Sequence, residues 1–167
     1  MRAPPRSRAV IREATPADAA ELARLRWEFR VEEQPAQPRD EFLSGFESWL
    51  HEALASGRWV VSVAESAPGT LCGCMYLERV TKLPVPGTLR REWGYITSAY
   101  VAAEERGRGL GRELLGLLVE AARERRLEFL ILWPSDEALP FYRRAGFRPV
   151  SDLWTGAAGE PPLALVL

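Results

Sequence analysis

The sequence is poor in the residues that mark several kinds of site. Its 167 residues include two cysteines and a single histidine, His51, too few for an ordinary zinc site with about four ligands. Cys72 and Cys74 lie too close on one predicted strand for an unstrained disulfide, so we expect two reduced core cysteines. The formal net charge is −1, so no overall field favours nucleic acid or a membrane surface.

Long apolar runs are missing as well. No stretch approaches the roughly 18 consecutive apolar residues of a membrane span, and the start, MRAPPRSRAV, lacks the apolar core of a secretory signal. Residues 1–9 resemble a flexible tail, whereas 10–167 is long enough for a single packed domain. We therefore expect a cytoplasmic globular protein with no metal, no nucleic-acid partner and no membrane partner.

The spacing of apolar residues predicts a chain of mixed helices and strands. Helices are predicted over 15–33, 42–57, 110–126 and 135–147. The third has an apolar stripe of Leu110, Leu114, Leu117, Leu118 and Ala121, and Gly146 is a good left-handed stop for the fourth. Strands are predicted over 10–12, 59–65, 71–78, 93–101 and 128–133, with two more after 148 around a TGAAGEPP turn. This order predicts an α/β fold whose mixed sheet contains at least one parallel crossover.

Three glycines at alternate positions precede the third predicted helix, in the stretch EERGRGLGREL. A helix start leaves about four backbone amides without partners, and proteins usually satisfy them with Ser, Thr, Asp or Asn. No such residue occurs in this segment, so the amides are available to an anion such as phosphate, assisted by the helix dipole. A glycine-rich turn with solvated arginines is the alternative.

Comparison with known phosphate-binding motifs narrows the kinds of phosphate site that this glycine segment can form. The P-loop fails because Arg112 and Glu113 stand where its Lys and Ser or Thr belong, and Arg112 also occupies the third glycine of the dinucleotide fingerprint. What remains is R-x-x-G-x-G, which resembles the acetyl-CoA-binding motif of the GCN5-related N-acetyltransferase (GNAT) superfamily. A second motif, ALPFYRRAGF at 138–147, resembles the last helix of the same superfamily, A-x-x-F-Y-x-x-x-G-F.

The resemblance implies a single-domain α/β fold. It has a mixed sheet of about six or seven strands flanked by about four helices, with parallel central strands that splay apart. It implies acetyl-CoA as co-substrate and no metal. The residues that it assigns to cofactor binding are Tyr100, Val101, Arg106, Gly107, Arg108, Gly109, Leu110, Gly111, Arg112, Ser135 and Phe141.

The resemblance also implies an enzyme, an N-acetyltransferase that moves an acetyl group from acetyl-CoA to a primary amine. The amine attacks the thioester directly, through a tetrahedral intermediate that expels thiolate. Tyr142 matches the tyrosine that serves as general acid to the departing sulfur. Because a phenol has a higher pKa than a thiol, we expect Tyr142 to act chiefly by a hydrogen bond to the developing thiolate.

The general base is not assigned by the sequence. Histone-type members carry a glutamate on the fourth strand, where this chain has Tyr95. The other candidates, of which none stands out, are Glu28, Glu32, Glu33, His51, Glu92, Thr97 and Ser98. The acceptor is a small-molecule or peptide amine, for which Trp27, Phe29, Trp49 and Trp93 offer aromatic surface.

Two rival functions stay open on the sequence alone. One is a non-catalytic acyl-CoA-binding sensor or interaction module on the same fold. The other is an unrelated nucleotide-phosphate binder that uses the glycine turn. A homodimer, common in that superfamily, is neither favoured nor excluded by the residues.

Overall fold

The computed structural model describes residues 8–33 and 38–153. The strands are β1 (Val10–Glu13), β2 (Trp59–Ala67), β3 (Thr70–Thr81), β4 (Glu92–Val101) and β5 (Leu130–Ile131). The helices are α1 (Ala19–Glu33), α2 (Arg39–Ala55), α3 (Leu110–Glu124), α4 (Leu139–Arg144) and α5 (Val150–Leu153). The chain divides into two compact units at Leu132 and Trp133, so that α4 and α5 belong to the second unit.

The strands form one five-stranded sheet in the order β1-β2-β3-β4-β5. The first three pairings are antiparallel, and β4 pairs with β5 in parallel. The connection between the two parallel strands contains α3, which makes it the predicted crossover. The α/β class and the mixed sheet are therefore confirmed.

The strand count is lower than the six or seven expected. The described residues contain five strands, and the segment Val150–Leu153 is a helical turn instead of the start of a C-terminal strand. Aspartate is disfavoured inside strands, and Asp152 stands in the middle of this segment. The predicted TGAAGEPP turn and the strand after it lie outside the described residues, as does 34–37 between the first two helices.

A charged cluster fixes the start of α1 against the sheet. The Asp18 carboxylate accepts the amide of Thr15 at 2.7 Å and both terminal nitrogens of Arg12 at 2.7 and 2.8 Å. Arg12, on β1, also donates to Glu65 on β2 at 2.9 Å. These hydrogen bonds hold the pKa of the Asp18 carboxyl below its ordinary value, although its burial acts in the opposite direction.

Both faces of the sheet are covered. On β2, Val61 and Val63 belong to the core cluster that contains residues of α1 and α2, and they are fully buried. Val60 and Ala64 alternate with them and are also buried, so helical elements cover both sides. The buried stripe of α3 is made of Leu110, Leu114, Leu115, Leu118, Ala121 and Ala122. Leu117, predicted for this stripe, is only half-buried and Leu115 takes its place.

Candidate active site

A bulge interrupts β4 near its carboxyl end. Thr97 pairs with Tyr76 and Tyr100 pairs with Cys74, so two residues of β4 stand opposite a single residue of β3. One of the two, Ser98, has a φ of +53°, in the left-handed region that serine rarely adopts. The Ser98 hydroxyl accepts a hydrogen bond of 2.9 Å from Arg26 on α1. An extra residue of this kind bends a strand and locally interrupts its ladder of hydrogen bonds.

Beyond this point β4 separates from its parallel neighbour. The two strands pair only at Gly94 with Leu130 and at Tyr95 with Ile131. In the described part of the chain, no strand pairs with that edge of residues 96–101. Because a strand edge presents backbone donors and acceptors in a row, this segment can pair with an extended ligand. The expectation that the two central strands splay apart is confirmed.

Two glycines in the loop after β4 have positive φ angles, which other residues rarely adopt. Gly107 and Gly109 have φ of +76° and +85°. A Cβ built at either position would meet no protein atom within 4 Å. Crowding by the rest of the protein therefore does not explain these glycines, and the left-handed conformation does. Backbone that alternates in this way turns successive amides toward one side, an arrangement that binds anions.

The backbone amides of this loop have no hydrogen-bond partner among residues 8–33 and 38–153. No described residue accepts a hydrogen bond from the backbone amides of residues 107–111. The first amides of the loop and helix to be paired are those of Arg112 and Glu113, which donate to the carbonyl of Gly109 at 3.0 and 3.2 Å. Gly109 is the N-cap of α3 and offers no side chain. The positive end of the helix dipole therefore coincides with a row of unpaired donors.

The arginines around the loop point to different partners. Arg106 donates from Nε to the carbonyl of Val101 at 2.8 Å, and its guanidinium lies 5.6 Å from the ring centre of Tyr100. Arg108 forms an ion pair with Glu105. Arg112 is exposed at the start of α3. Of the three arginines predicted to bind the cofactor, two thus make side-chain contacts within the protein itself.

In the second unit, a helix end holds the ring of Tyr142. The amides of Phe147 and Gly146 donate to the carbonyls of Tyr142 and Arg143 at 3.1 and 3.0 Å, and Gly146 has a φ of +95°. This is a Schellman motif, whose characteristic apolar contact is made by the rings of Phe147 and Tyr142, 5.7 Å apart. The ring of Phe141 contacts the same tyrosine at 4.9 Å. The stop predicted at Gly146 is confirmed.

The hydroxyl of Tyr142 is available. The residue is 7% exposed, yet its hydroxyl makes no hydrogen bond with the described residues and is not one of the fully buried polar atoms. The hydroxyl is therefore the part of this otherwise buried side chain that solvent can reach. Burial raises the pKa of Tyr142, so the phenol is protonated at neutral pH and can donate.

Ser135, also predicted at the cofactor site, lies in the turn that precedes α4. Its hydroxyl accepts a hydrogen bond from the amide of Ala138 at 3.3 Å. Its carbonyl accepts the amides of Ala138 and Leu139, both at 3.0 Å. The structure thus gives Ser135 a part in shaping the turn.

Two of the candidate bases are already paired with arginine side chains. Glu92 is buried and accepts a hydrogen bond of 2.6 Å from Arg79. Burial is the largest single effect and by itself would raise the pKa of Glu92. The hydrogen bonds from Arg79 and Thr81 and the charges of Arg79 and Arg90 together outweigh it, so the pKa lies below the ordinary value. A carboxylate held in this way is a poor proton acceptor. Glu28 is paired with Arg24 at 2.6 Å.

The remaining candidates are hydroxyls and an imidazole. The Thr97 and Ser98 hydroxyls lie 3.4 Å apart at the bulge. Tyr95 is half-buried on β4, and His51 is exposed on α2. The side chains of residues 32 and 33 lie outside the described structure. No base is assigned by this geometry.

The predicted aromatic surface is divided between separate places. Trp27 contacts Phe42, and a continuous row of rings follows through Phe46 and Trp49 to Trp59. Phe29 instead contacts Tyr100 at 5.6 Å. Trp93 stacks on Phe129 at 5.7 Å. The aromatic residues named in the sequence therefore do not line one common pocket.

Two features of the site escape sequence reasoning. The bulge at Ser98 gives no signal beyond the small side chains around it, because it depends on pairing with a distant strand. Glu105 is 7% exposed, although its place in the run AAEERGRG is typical of a solvated surface. Only its spacing of three residues from Arg108 suggests a partner.

No group of three or more His, Cys, Asp or Glu side chains in the described ranges could hold a metal ion. None of the helices that the structure describes is long and apolar enough to cross a membrane.

Comparison with known proteins identifies the fold. The model of the acetyltransferase (GNAT) family matches residues 19–147, which includes β4, the glycine loop, α3 and the Tyr142 motif. The chain belongs to the GNAT family. It is 30% identical over 103 residues to an uncharacterized N-acetyltransferase of Methanocaldococcus jannaschii, a match that covers 59% of this chain and 42% of the relative. The chain thus spans less than half the length of that curated relative.

Solved structures agree with the GNAT assignment. A GCN5-related N-acetyltransferase from Ralstonia eutropha JMP134 is 26% identical with a TM-score of 0.68, covering 90% of this chain and 99% of the other. A predicted acetyltransferase from Clostridium acetobutylicum, solved with acetyl-CoA, has a TM-score of 0.71 at 23% identity, covering 89% and 95%. The second likeness concerns the GNAT fold alone.

Proposed function

We propose that the protein is an N-acetyltransferase that transfers an acetyl group from acetyl-CoA to a primary amine. The observation that carries this proposal is the row of unpaired amides at 107–111, which opens α3 directly after a strand with an unpaired edge. Family membership supplies the reaction class, since GNAT proteins are acetyltransferases. The acceptor is a small molecule or a peptide.

The loop can supply the binding energy by itself. A hydrogen bond to a charged group contributes about 1.5–3 kcal/mol, so four amides on a diphosphate give roughly 6–12 kcal/mol before ordering costs. Micromolar affinity requires about 8 kcal/mol. Since no described residue accepts a hydrogen bond from these amides, a ligand breaks none of the described hydrogen bonds to reach them, which keeps the cost of binding low.

The edge of β4 fits the extended part of the same co-substrate. Tyr100 and Val101 lie where the strand has lost its parallel neighbour, and backbone groups there can pair with amides of a pantetheine arm. The Val101 carbonyl accepts from Arg106 in this structure, so a ligand amide at that carbonyl would share it or replace the guanidinium.

Acetyl-CoA supplies an acyl group activated as a thioester. The transfer forms a carbon–nitrogen bond, breaks the carbon–sulfur bond and requires the acceptor amine to lose a proton. In our proposal Tyr142 donates a hydrogen bond to the departing sulfur, a role that its accessible, protonated hydroxyl permits. Deprotonating an alkyl amine of pKa near 10.4 at pH 7 costs about 4–5 kcal/mol. We leave this step to water or to an acceptor of lower pKa.

The test is product formation with a panel of amines. The protein is incubated with acetyl-CoA and aromatic, cationic and peptide amines, and released CoA thiol is quantified together with the mass of the acetylated product. We expect stoichiometric thiol and amide for at least one class. Thermal stabilisation by acetyl-CoA without product from any class would instead support a non-catalytic sensor.

The Tyr142→Phe variant tests the proposed hydrogen bond. We expect turnover to fall about 10- to 1,000-fold, because removing a donor at a site of developing charge costs up to about 4 kcal/mol. The affinity for CoA should be nearly unchanged, since the hydroxyl makes no contact with the glycine loop in this proposal. Unchanged turnover would remove Tyr142 from the mechanism.

A further inference from the structure

A buried carboxylate stands immediately before the glycine loop. Glu105 ends the 3-10 turn Ala103–Glu105 and is 7% exposed, whereas its neighbour Glu104 is exposed. Charged side chains are rarely buried at this level unless they are paired. Glu105 forms an ion pair with Arg108, whose side chain is 41% exposed. The ion pair therefore connects residue 105, which precedes the glycine loop, to residue 108 in the middle of it.

The Glu105–Arg108 ion pair matters because of where Arg108 lies in the loop. Arg108 stands between Gly107 and Gly109, the two residues with positive φ. Glycines are the residues that lose most conformational freedom on being ordered, so this stretch has an intrinsic tendency to sample other conformations. An ion pair from residue 105 to residue 108 closes a short ring around Gly107, which restricts those alternatives. The amides that must converge on an anion belong to the same stretch.

We propose that Glu105 is a positioning residue for the phosphate-binding loop and that Arg108 is its clamp. The carboxylate holds the Arg108 side chain, and this contact fixes the backbone of residues 107–109 in the conformation that presents its amides. The inference rests on the proposed function, because it takes CoA diphosphate as the anion. It departs from the expectation that Arg108 itself contacts the diphosphate.

The two roles of Arg108 predict opposite effects of one substitution. If Arg108 were a phosphate ligand, Glu105→Gln would release its guanidinium toward the anion and CoA would bind as tightly as before or more tightly. If Arg108 is a clamp, the same substitution loosens the loop and CoA binds more weakly. Glu104→Gln is the matched control, since it removes the same charge one residue earlier from an exposed position.

The first experiment is a double-mutant cycle on CoA affinity, measured by titration calorimetry. We expect Glu105→Gln and Arg108→Gln each to weaken binding about tenfold, or 1.4 kcal/mol, and the double variant to be no weaker than either single one. KM for acetyl-CoA should rise with kcat at saturation unchanged, and Glu104→Gln should behave as wild type. Additive losses, or a loss confined to Arg108→Gln, would overturn the clamp.

The second experiment needs no ligand. Backbone 15N order parameters from NMR relaxation of the free protein should be lower at residues 107–111 in both single variants, with α3 beyond its first turn as rigid as in wild type. Unchanged order parameters in this loop would overturn the inference even if CoA binds the wild type. Lower order parameters in a chain that binds no CoA would refute the proposed function and leave the clamp intact. Because Arg108 is partly exposed, Arg108→Gln supplies this readout should Glu105→Gln fail to fold.

Discussion

Replacing Gly109 by alanine separates the two reasons for which a chain uses glycine before a helix. Gly109 has a φ of +85° and is the N-cap of α3. Holding an alanine in the left-handed region lowers the free energy of unfolding by about 1–2 kcal/mol. Because alanine has less conformational entropy than glycine in the unfolded chain, the substitution also raises that free energy by about 0.4–1 kcal/mol. The net loss of about 1 kcal/mol corresponds to a melting temperature lower by about 2–4 °C for a chain of this length.

The effect on ligand binding should be larger than the effect on stability. A Cβ at Gly109 meets no protein atom within 4 Å, so the loop can relieve its strain only by rotating peptide planes. Such a rotation turns one amide away from the anion, at about 1.5–3 kcal/mol. We expect CoA to bind about 10- to 150-fold more weakly, measured by titration calorimetry and by the loss of CoA-induced thermal stabilisation.

Gly116 provides the control on the same helix. It is an exposed residue in the interior of α3, and a Cβ there also meets no protein atom within 4 Å. Gly116→Ala should therefore stabilise the protein by about 1 kcal/mol through helix propensity, with CoA affinity unchanged. If Gly109→Ala bound CoA as the wild type does, the amides of this loop would not be the anion-binding group.

Two further changes test the framework of the sheet. Asp18→Asn should lower the free energy of unfolding at pH 7 by about 2–3 kcal/mol, since it breaks a largely buried pair with Arg12. The lowered pKa of Asp18 stabilises the wild type above the ordinary carboxyl pKa near 3.9 and is lost as pH falls through the lowered value. Urea unfolding at pH 7 and pH 3 should show a smaller acid loss in the variant; equal losses would contradict this. Gly94→Ala should cost about 1–3 kcal/mol because a Cβ would lie 2.5 Å from Leu130. Adding Leu130→Ala should recover part of it, and a neutral Gly94→Ala would refute the close packing of β4 on β5.

Local patterns were enough to predict the elements that carry the site. The alternation over 93–101 and the apolar spacing after residue 110 correspond to β4 and α3. The glycine loop was predicted because its chemistry is local: positive φ and a missing N-cap are properties of a few adjacent residues. The stop at Gly146 was predicted for the same reason.

Features that depend on distant partners could not be predicted. The bulge at Ser98 exists because β3 and β4 pair in two registers, and Arg26 on α1 contacts its hydroxyl. The burial of Glu105 depends on how the end of β4 packs, which residue spacing does not report. The general base stays unassigned, and Glu92, one of the candidates in the sequence, is committed to Arg79.

The additional residue in β4 changes which side of the sheet later side chains occupy. Before it, even-numbered positions such as Ile96 share a face with Leu77; after it, Tyr100 lies opposite Cys74 and so joins the face of Tyr76. Ile96 before the bulge and Tyr100 after it therefore lie on opposite faces although both positions are even-numbered, and the Tyr100 ring contacts Phe29 on α1. Because side chains alternate with a period of two, shortening the chain by one residue between 97 and 99 would move every side chain that follows on β4 to the opposite face of the sheet.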